Sequence, residues 1–200
     1  GTGAAGSSIL KLLRDYGFRN FYAFNKFGVV TREKAREQDF LQVELSDFVN
    51  NPQEDLTLAE ALAKSDVFIG VSAPGLVTKE MAKSMKQDAV LFAMANPEPE
   101  IAYDLAKEAG VRIVGTGRSD RPNQINNVLV FPGLFKGALS AKAKQITEPM
   151  KIAAAIGLAS LISDEELDAE HIIPDVFDPR VADTVAKAVM DEVRKGGEGR

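Results

Sequence analysis

The sequence has 200 residues, 45% hydrophobic and 26% charged, which is the composition of an ordinary globular protein with one large or two small domains. Its net charge of -5 argues against a nucleic-acid partner, which would need a basic surface. The absence of cysteine excludes disulfides and thiolate chemistry and suits a reducing cytoplasm, and no apolar run approaches the ~20 residues of a membrane span.

The first six residues, GTGAAG, match the glycine-rich turn G-x-G-x-x-G of dinucleotide-binding proteins. An apolar helical segment and a predicted strand, Phe21–Phe24, follow it. In this arrangement Thr2, Gly3, Ala4 and Ala5 would hold a pyrophosphate on the amides of the helix N-terminus. The strand that should precede the turn is absent, so we expect the sequence to be part of a longer protein.

Asn25 stands where such folds usually place an acidic residue that binds the adenosine ribose. Asparagine can still bind a ribose hydroxyl and repels a 2′-phosphate less than a carboxylate would. Lys26 or Arg32 could attract that phosphate, so NAD and NADP both stay possible. Alternatively, Asn25 only starts the turn that ends at Gly28.

Residues 31–55 are charged and irregular, with one short helix predicted at Glu33–Gln38. A capping box, Thr57 with Glu60, opens a helix over Leu58–Lys64. The apolar run at 67–71 predicts a buried parallel strand. Because ligands bind at the carboxyl ends of such strands, we expect the cofactor near Val71, Ser72 and Ala73, although a plain turn would have the same composition.

A second buried strand is predicted at Ala89–Ala95, after a short helix at Thr78–Met85. It ends in Asn96-Pro97-Glu98-Pro99-Glu100, where the Asn96 amide could bind a nicotinamide ribose or a substrate carboxylate. Glu98 and Glu100 could be metal ligands or acid–base groups. For Glu100 the favoured interpretation is the first turn of the next helix, Ile101–Ala109.

Residues 116–127 form a polar loop between two apolar runs of β type, Val111–Val114 and Val128–Phe131. It is longer than the two to six residues that a simple connection needs, so we expect its polar groups to face a ligand rather than only to satisfy its own backbone. The residues from Arg118 to Gln124 are expected to shape the loop, while Asn126 and Asn127 are the candidates for ligand contact.

The alternation of strands and helices over residues 1–115 predicts an α/β fold, a Rossmann-type doubly wound parallel sheet whose first strand is missing from this chain. We place this domain at residues 1–133 and a C-terminal helical extension at 134–200. His171 is expected to pack or end a helix, and Gly196–Arg200 to fray. The helices predicted in the extension are Leu134–Lys144, Thr147–Leu161, Asp164–Glu170 and Arg180–Arg194.

Five strings in the chain resemble one family, the malic enzymes, in their bacterial short form. They are GTGAAG, SDVFIGVSAPG, FAMANPEPEI, GVRIVGTGRSDRPNQINNVLVFPGLFKGAL and IIPDVFDPRVADTVAKAV, in family order and over nearly the whole chain. Asn25 departs from the aspartate that is more typical of the family at that position.

The resemblance implies oxidative decarboxylation of L-malate to pyruvate and CO₂ with reduction of NAD or NADP. Asn96 and Asn126 would contact the nicotinamide and its ribose, and Asn96 and Asn127 the malate. In the family, the lysine base, the tyrosine acid and the carboxylate ligands of Mg²⁺ or Mn²⁺ all belong to a segment before the glycine-rich motif. This chain would therefore contain no catalytic residue and no metal ligand, and would be inactive alone. A cytoplasmic homodimer or homotetramer is also implied.

Two alternative functions remain open. A malolactic enzyme of the same family would keep NAD bound and release lactate, so assaying lactate against accumulating NADH separates it from a malic enzyme. A regulatory module that binds a nucleotide without chemistry would lack the lysine, tyrosine and carboxylates in the segment before Gly1.

Overall fold

The computed structural model describes residues 1–50 and 52–196, and the fraying expected beyond Gly196 lies outside this part. The chain forms two compact units, Gly1–Val114 and Gly115–Arg200, which are described separately. The helices are α1 Ala4–Tyr16, α2 Arg32–Ala35, α3 Phe40–Ser46, α4 Leu58–Ala63, α5 Lys79–Lys83, α6 Tyr103–Glu108, α7 Phe131–Ser140, α8 Glu148–Ala159 and α9 Arg180–Gly196. The strands are β1 Phe24–Asn25, β2 Gly28–Val29, β3 Val67–Gly70, β4 Val90–Ala93 and β5 Ile113–Thr116.

The strands β3, β4 and β5 form a three-stranded sheet in that order. The first two belong to the first unit, and β5 runs across the end of that unit at Val114. β3 and β4 run parallel, with Val67 opposite Val90 and Gly70 opposite Ala93. Helices α5 and α6 connect consecutive strands, as parallel pairing requires. Leu91 is fully buried in the core of this unit. The α/β fold predicted from the sequence is confirmed.

The predicted strand Phe21–Phe24 is mostly wrong, since only its last residue belongs to a strand. Phe24 and Asn25 pair antiparallel with Gly28 and Val29 across a tight hairpin. Gly28 has φ 105°, a conformation that favours glycine. In the described part of the chain, residues 21–23 make only single backbone bonds, from the Val30 N–H to the Ala23 carbonyl and from the Asn50 N–H to the Phe21 carbonyl, and these do not form a ladder. The alternative interpretation, in which Asn25 starts a turn, matches this geometry.

A cavity of about 710 Å³ opens in the first unit beside β3. Its lining includes the extended segment 20–24, the apolar face of α1 and the side chains of β3, among them Phe68. β3 is at the same time an edge strand of the three-stranded sheet. An apolar space therefore borders the outermost strand.

The second unit is a small helical assembly in which both α7 and α8 pack against α9. Its core contains Met150, Val185 and Val189, each at most 1% exposed. Glycines allow the close approach: a Cβ on Gly137 would lie 2.6 Å from the carbonyl oxygen of Ala186. None of the helices in the described part combines the length and apolar character that a membrane crossing requires.

Two predicted elements of this unit are wrong. The run Val128–Phe131 is not a strand, because Asn127–Leu129 forms a 3-10 turn and α7 starts at Phe131. Asp164–Glu170 is a series of turns rather than a helix. There the Asp168 carboxylate accepts the backbone N–H of Glu170 at 2.7 Å, a local bond that competes with helical pairing.

Candidate functional site

The N-terminus of α1 presents open backbone amides. Gly3 occupies the N-cap position without a side-chain hydrogen bond, and a Cβ at this residue would meet nothing within 4 Å. Ala4 and Ala5 are exposed, whereas Thr2 is buried. Uncapped amides under small side chains suit an anion such as a pyrophosphate.

The glycine-rich turn lies directly against the end of β3. A Cβ on Gly1 would stand 2.9 Å from both the Val71 carbonyl oxygen and the Ser72 Cβ, and one on Gly6 would stand 3.3 Å from a Val71 methyl group. Side chains larger than glycine would push the two segments apart. The structure thus brings together the turn and the predicted residues Val71 and Ser72, with Ala73 exposed next to them.

Gln42, which the sequence analysis missed, connects the turn to Asn25. Its Oε1 accepts the Thr2 hydroxyl at 2.7 Å and the Asn25 amide at 3.2 Å, and its Nε2 donates to the Thr2 carbonyl at 2.8 Å. Gln42 is buried on α3, a helix that was also missed. A signal existed in the sequence, because Asp39 accepts the Gln42 backbone N–H, and an acidic cap followed three residues later by glutamine marks a helix start.

Asn25 already has partners for both ends of its side-chain amide. Its Nδ2 donates to Gln38 at 2.7 Å, and its Oδ1 accepts the backbone N–H of Phe27 at 2.8 Å. Asn96 differs, because it is exposed and its amide has no hydrogen-bond partner among the described residues. It directly follows the segment after β4 and is joined to Pro97 by a cis peptide bond.

Glu100 is placed differently from the prediction. It does not lie in the first turn of α6, which begins at Tyr103; it is instead 0% exposed. Its Oε1 accepts the backbone N–H of Ser72 at 2.8 Å, and its Oε2 accepts that of Ala95 at 3.0 Å. Pro97 and Pro99 disfavour a helical backbone just before Glu100, which agrees with the helix starting only at Tyr103. Glu98 is exposed.

The polar loop of the second unit is held by its own side chains. Arg118 forms two hydrogen bonds with Asp120, at 2.8 and 2.9 Å, and these hold the pKa of Asp120 below its usual value. Asn123 has φ 54°, is buried, and joins the loop to the carbonyl of Ala169 and the N–H of Ile172. These contacts fix the shape of the loop.

Asn126 and Asn127, at the end of this loop, differ in their hydrogen bonding. Asn126 is the N-cap of the 3-10 turn, and its Oδ1 accepts the Val128 N–H at 3.0 Å. Asn127 is exposed, and its amide has no hydrogen-bond partner within residues 1–50 and 52–196. The oxygen and the NH₂ group of the Asn127 side chain are therefore both exposed where a ligand could contact them.

The described residues offer no group of three or more histidine, aspartate or glutamate side chains spaced for a metal ion. The two candidate metal ligands lie in different environments, since Glu98 is exposed and Glu100 is buried. The described residues therefore supply no three-ligand set for a divalent metal.

Comparison with known proteins matches residues 1–194 to the family model described as malic enzyme, NAD binding domain. The chain is 48% identical to the bifunctional malic/malolactic enzyme of Bacillus subtilis, over all of this chain and 49% of that protein. It is 44% identical to an NAD-dependent malic enzyme of Geobacillus stearothermophilus, over the whole chain and 41% of the relative. NADP-dependent malic enzymes match as well.

Among solved structures, the malic enzyme from Pyrococcus horikoshii superposes with a TM-score of 0.91 at 38% identity. The match covers 100% of this chain and 48% of that structure. The chain thus spans about half the length of the Bacillus subtilis and Pyrococcus horikoshii proteins and less of the other relatives described above.

Proposed function

Because the chain belongs to the malic enzyme family, we propose that it is the cofactor-binding part of an enzyme that converts L-malate to pyruvate and CO₂ with reduction of NAD or NADP. The observation that carries the proposal is the family match over residues 1–194. The N-terminus of α1 supports it, because its glycine-rich turn lies against the end of β3. Folds that bind dinucleotides hold the pyrophosphate at such a helix N-terminus beside the strand ends.

In this proposal the amides from Thr2 to Ala5 hold the pyrophosphate, and the segment Val71–Ala73 lies beside the cofactor. Asn25 serves the adenosine ribose, either directly or after releasing Gln38. Asn96 and Asn126 contact the nicotinamide and its ribose. The Asn96 side chain is exposed and has no hydrogen-bond partner among the residues that the structure describes, which supports this assignment.

The substrate would be oriented by Asn96 and Asn127. L-malate is a dianion with a hydroxyl group, and neutral amides can bind both kinds of oxygen without a pKa of their own near neutrality. Bound NAD(P) would supply the acceptor for the hydride from C2 of malate. The general acid, the general base and the ligands of Mg²⁺ or Mn²⁺ are proposed to belong to a segment outside this chain.

The cavity beside β3 is proposed to receive a strand from that further segment. An apolar space bordering an edge strand suits an additional strand, which would complete the ladder. The length of the relatives, about twice that of this chain, supports the proposal. A homodimer or homotetramer in the cytoplasm is part of the same proposal and is supported by the sequence resemblance.

The test is an assay of the complete protein with L-malate, Mn²⁺ and either NAD or NADP. Accumulation of reduced cofactor together with pyruvate supports the proposal, and the ratio of kcat/KM values for the two cofactors identifies the one used. Lactate without net reduced cofactor would indicate the malolactic reaction, which the 48% identity to a bifunctional malic/malolactic enzyme favours as second candidate. Cofactor binding without formation of pyruvate or lactate would indicate a regulatory module that binds a nucleotide.

A further inference from the structure

The carboxylate of Glu100 connects the ends of two neighbouring parallel strands. It is fully buried, and its two oxygens accept backbone N–H groups from Ser72, after β3, and from Ala95, after β4. The Ser72 hydroxyl lies at 3.5 Å from the same Oε1. The Glu100 side chain therefore links the two segments that border the proposed cofactor site and fixes their relative position.

The surrounding backbone is arranged around this carboxylate. A Cβ on Gly70, the last residue of β3, would lie 2.7 and 2.8 Å from the two Glu100 oxygens, so only glycine leaves room for them. The backbone repeats the connection, because the Pro99 carbonyl accepts the Gly75 N–H at 3.1 Å and the Glu100 carbonyl accepts the Val77 N–H at 2.9 Å. The segment after β3 is thus fixed to residues 99–100 at several points.

Packing alone would not require a carboxyl group here. Burying one is costly unless its oxygens are hydrogen-bonded, and an apolar side chain would fill the same volume. A carboxylate instead provides two acceptors at a fixed separation, and each accepts one N–H. The carboxylate is therefore suited to this place because it holds two backbone N–H groups at a fixed distance from each other.

We infer that Glu100 is a positioning residue, which sets Ser72 and Ala73 relative to Asn96 so that the nicotinamide half of the cofactor is held in place. Ser72 donates to one oxygen directly, and Asn96 follows Ala95, whose N–H donates to the other. Glu100 acts through these residues and touches no reacting atom. The inference rests on the proposed function, since it assumes that a dinucleotide binds at these strand ends.

The test replaces Glu100 in the complete protein. Glu100→Gln keeps the size of the side chain but exchanges one acceptor oxygen for a donor NH₂ group, which then faces a backbone N–H. Affinity for NADH, measured by nicotinamide fluorescence, and KM for the oxidised cofactor are expected to worsen by about tenfold, because small displacements of positioning groups are costly. ADP-ribose lacks the nicotinamide but keeps the pyrophosphate, whose turn also lies against Ser72. Its affinity is therefore expected to fall clearly less than that of NADH, by about threefold at most.

The matched control is Glu98→Gln, which makes the same chemical change two residues away on an exposed side chain. It is expected to bind both ligands like the wild type. Gly70→Ala is an independent variant that disturbs the carboxylate from the other side, and the same selective loss is expected. It keeps the inference testable if Glu100→Gln fails to fold.

Several results would overturn the inference. One is unchanged NADH binding in both Glu100→Gln and Gly70→Ala, and another is an equal loss of NADH and ADP-ribose. A fall in kcat with unchanged cofactor KM would also do so, because it indicates fewer folded molecules. If the wild-type protein binds neither ligand, the proposed function itself fails and the inference fails with it.

Discussion

Gln42 is the side chain that joins the glycine-rich turn to the ribose end of the proposed cofactor site. It makes two hydrogen bonds to Thr2 and accepts a third from Asn25. The Thr2 carbonyl has one further donor, the Ser7 hydroxyl at 2.9 Å, whereas the Thr2 hydroxyl donates to Gln42. The position of the turn therefore depends on an amide 40 residues away in sequence.

Replacing Gln42 by methionine keeps the length of the side chain and removes all three bonds. The buried Thr2 hydroxyl loses its acceptor, and a free energy of unfolding lower by about 1–3 kcal/mol is expected. Affinity for NAD(P)H should fall by about tenfold, equivalent to ~1.4 kcal/mol, because the turn shifts. Thermal unfolding and fluorescence titration measure the two effects.

Val43→Met is the control for this prediction, since it places the same side chain at the next, exposed position of α3. It should change neither quantity. Cofactor affinity equal to the wild type in Gln42→Met would contradict a role for Gln42 in holding the turn.

Site residues in local sequence motifs could be predicted, whereas hydrogen bonds between residues far apart in the sequence could not. The glycine-rich turn and Asn96 stand out because glycine spacing and strand ends are local patterns. Gln42 and Glu100 act on partners 40 and 28 residues away. Nothing in the neighbouring residues shows that these polar side chains are buried, so Glu100 was placed in a helix.

Among the elements, the contact of α7 with α9 depends on glycine. A Cβ on Gly137 would lie 2.6 Å from the Ala186 carbonyl oxygen and 2.8 Å from the Val189 Cβ, and one on Gly133 would meet Val185 in the same way. The helix backbones approach closely because no side chain separates them.

Gly137→Ala is expected to destabilise the protein, although alanine normally stabilises a helix interior by about 1 kcal/mol relative to glycine. Overpacking of this kind costs about 1–3 kcal/mol, and here the obstacle is backbone that cannot rotate away. The midpoint of thermal unfolding should therefore fall. Ser140→Ala, at an exposed position of the same helix, should leave it nearly unchanged; a stabilised Gly137→Ala variant would show that the helices are further apart.

The start of α9 is fixed by an ion pair between Asp178 and Arg180. The Arg180 side chain donates to both carboxylate oxygens, the shortest bond being 2.7 Å, and the Arg180 backbone N–H donates at 2.9 Å. The side-chain bonds first, and then the backbone bond, hold the pKa of Asp178 below its usual value.

This lowered pKa predicts how Asp178→Asn responds to pH. Because the folded pKa lies below the unfolded value of about 4, the ionised carboxylate stabilises the fold above that pH. The contribution is lost as the pH falls through the folded pKa. The wild type should therefore unfold at a higher temperature than Asp178→Asn near neutral pH, and the difference should shrink on acidification.

Asp164→Asn is the control, at an exposed aspartate in the turn region before α9. A difference between the wild type and Asp178→Asn that stays constant with pH would show that the ion pair does not stabilise the helix start.

Helix starts were predictable where a side chain caps them, as at Thr57 with Glu60, which form the expected capping box. The secondary structure of short apolar runs could not be predicted. Val128–Phe131 has the composition of a strand, yet Pro132 and the preceding asparagine cap favour a turn and a helix start. Over only four residues, the periodicity of apolar side chains cannot distinguish a strand from the start of a helix.

For the whole molecule, the 200-residue polypeptide alone is expected to produce no reduced cofactor from L-malate. The proposed acid, base and metal ligands lie in a segment outside it, and the described residues offer no three-ligand metal site. Absorbance at the reduced nicotinamide band measures this, with the complete protein as positive control. Turnover by the purified polypeptide would contradict the division of the site between two segments.

At this scale the fold was predictable because strands and helices alternate at the spacing of parallel crossovers. The parallel pairing of β3 with β4 agrees with that alternation, whereas the strand order was not predicted. The hairpin at Asn25–Gly28 and the cavity beside β3 did not follow from it, because both depend on which backbone segments are neighbours in space.

The position of β3 at the edge of its sheet also matters for handling the polypeptide. An unpaired strand edge next to apolar surface is a template for pairing with other chains, and Val67 on this strand is 44% exposed. Expressed alone, the polypeptide should aggregate edge to edge despite its net charge of -5. A lysine introduced on β3 would improve solubility, but the same charge would obstruct the strand that the cavity is proposed to receive.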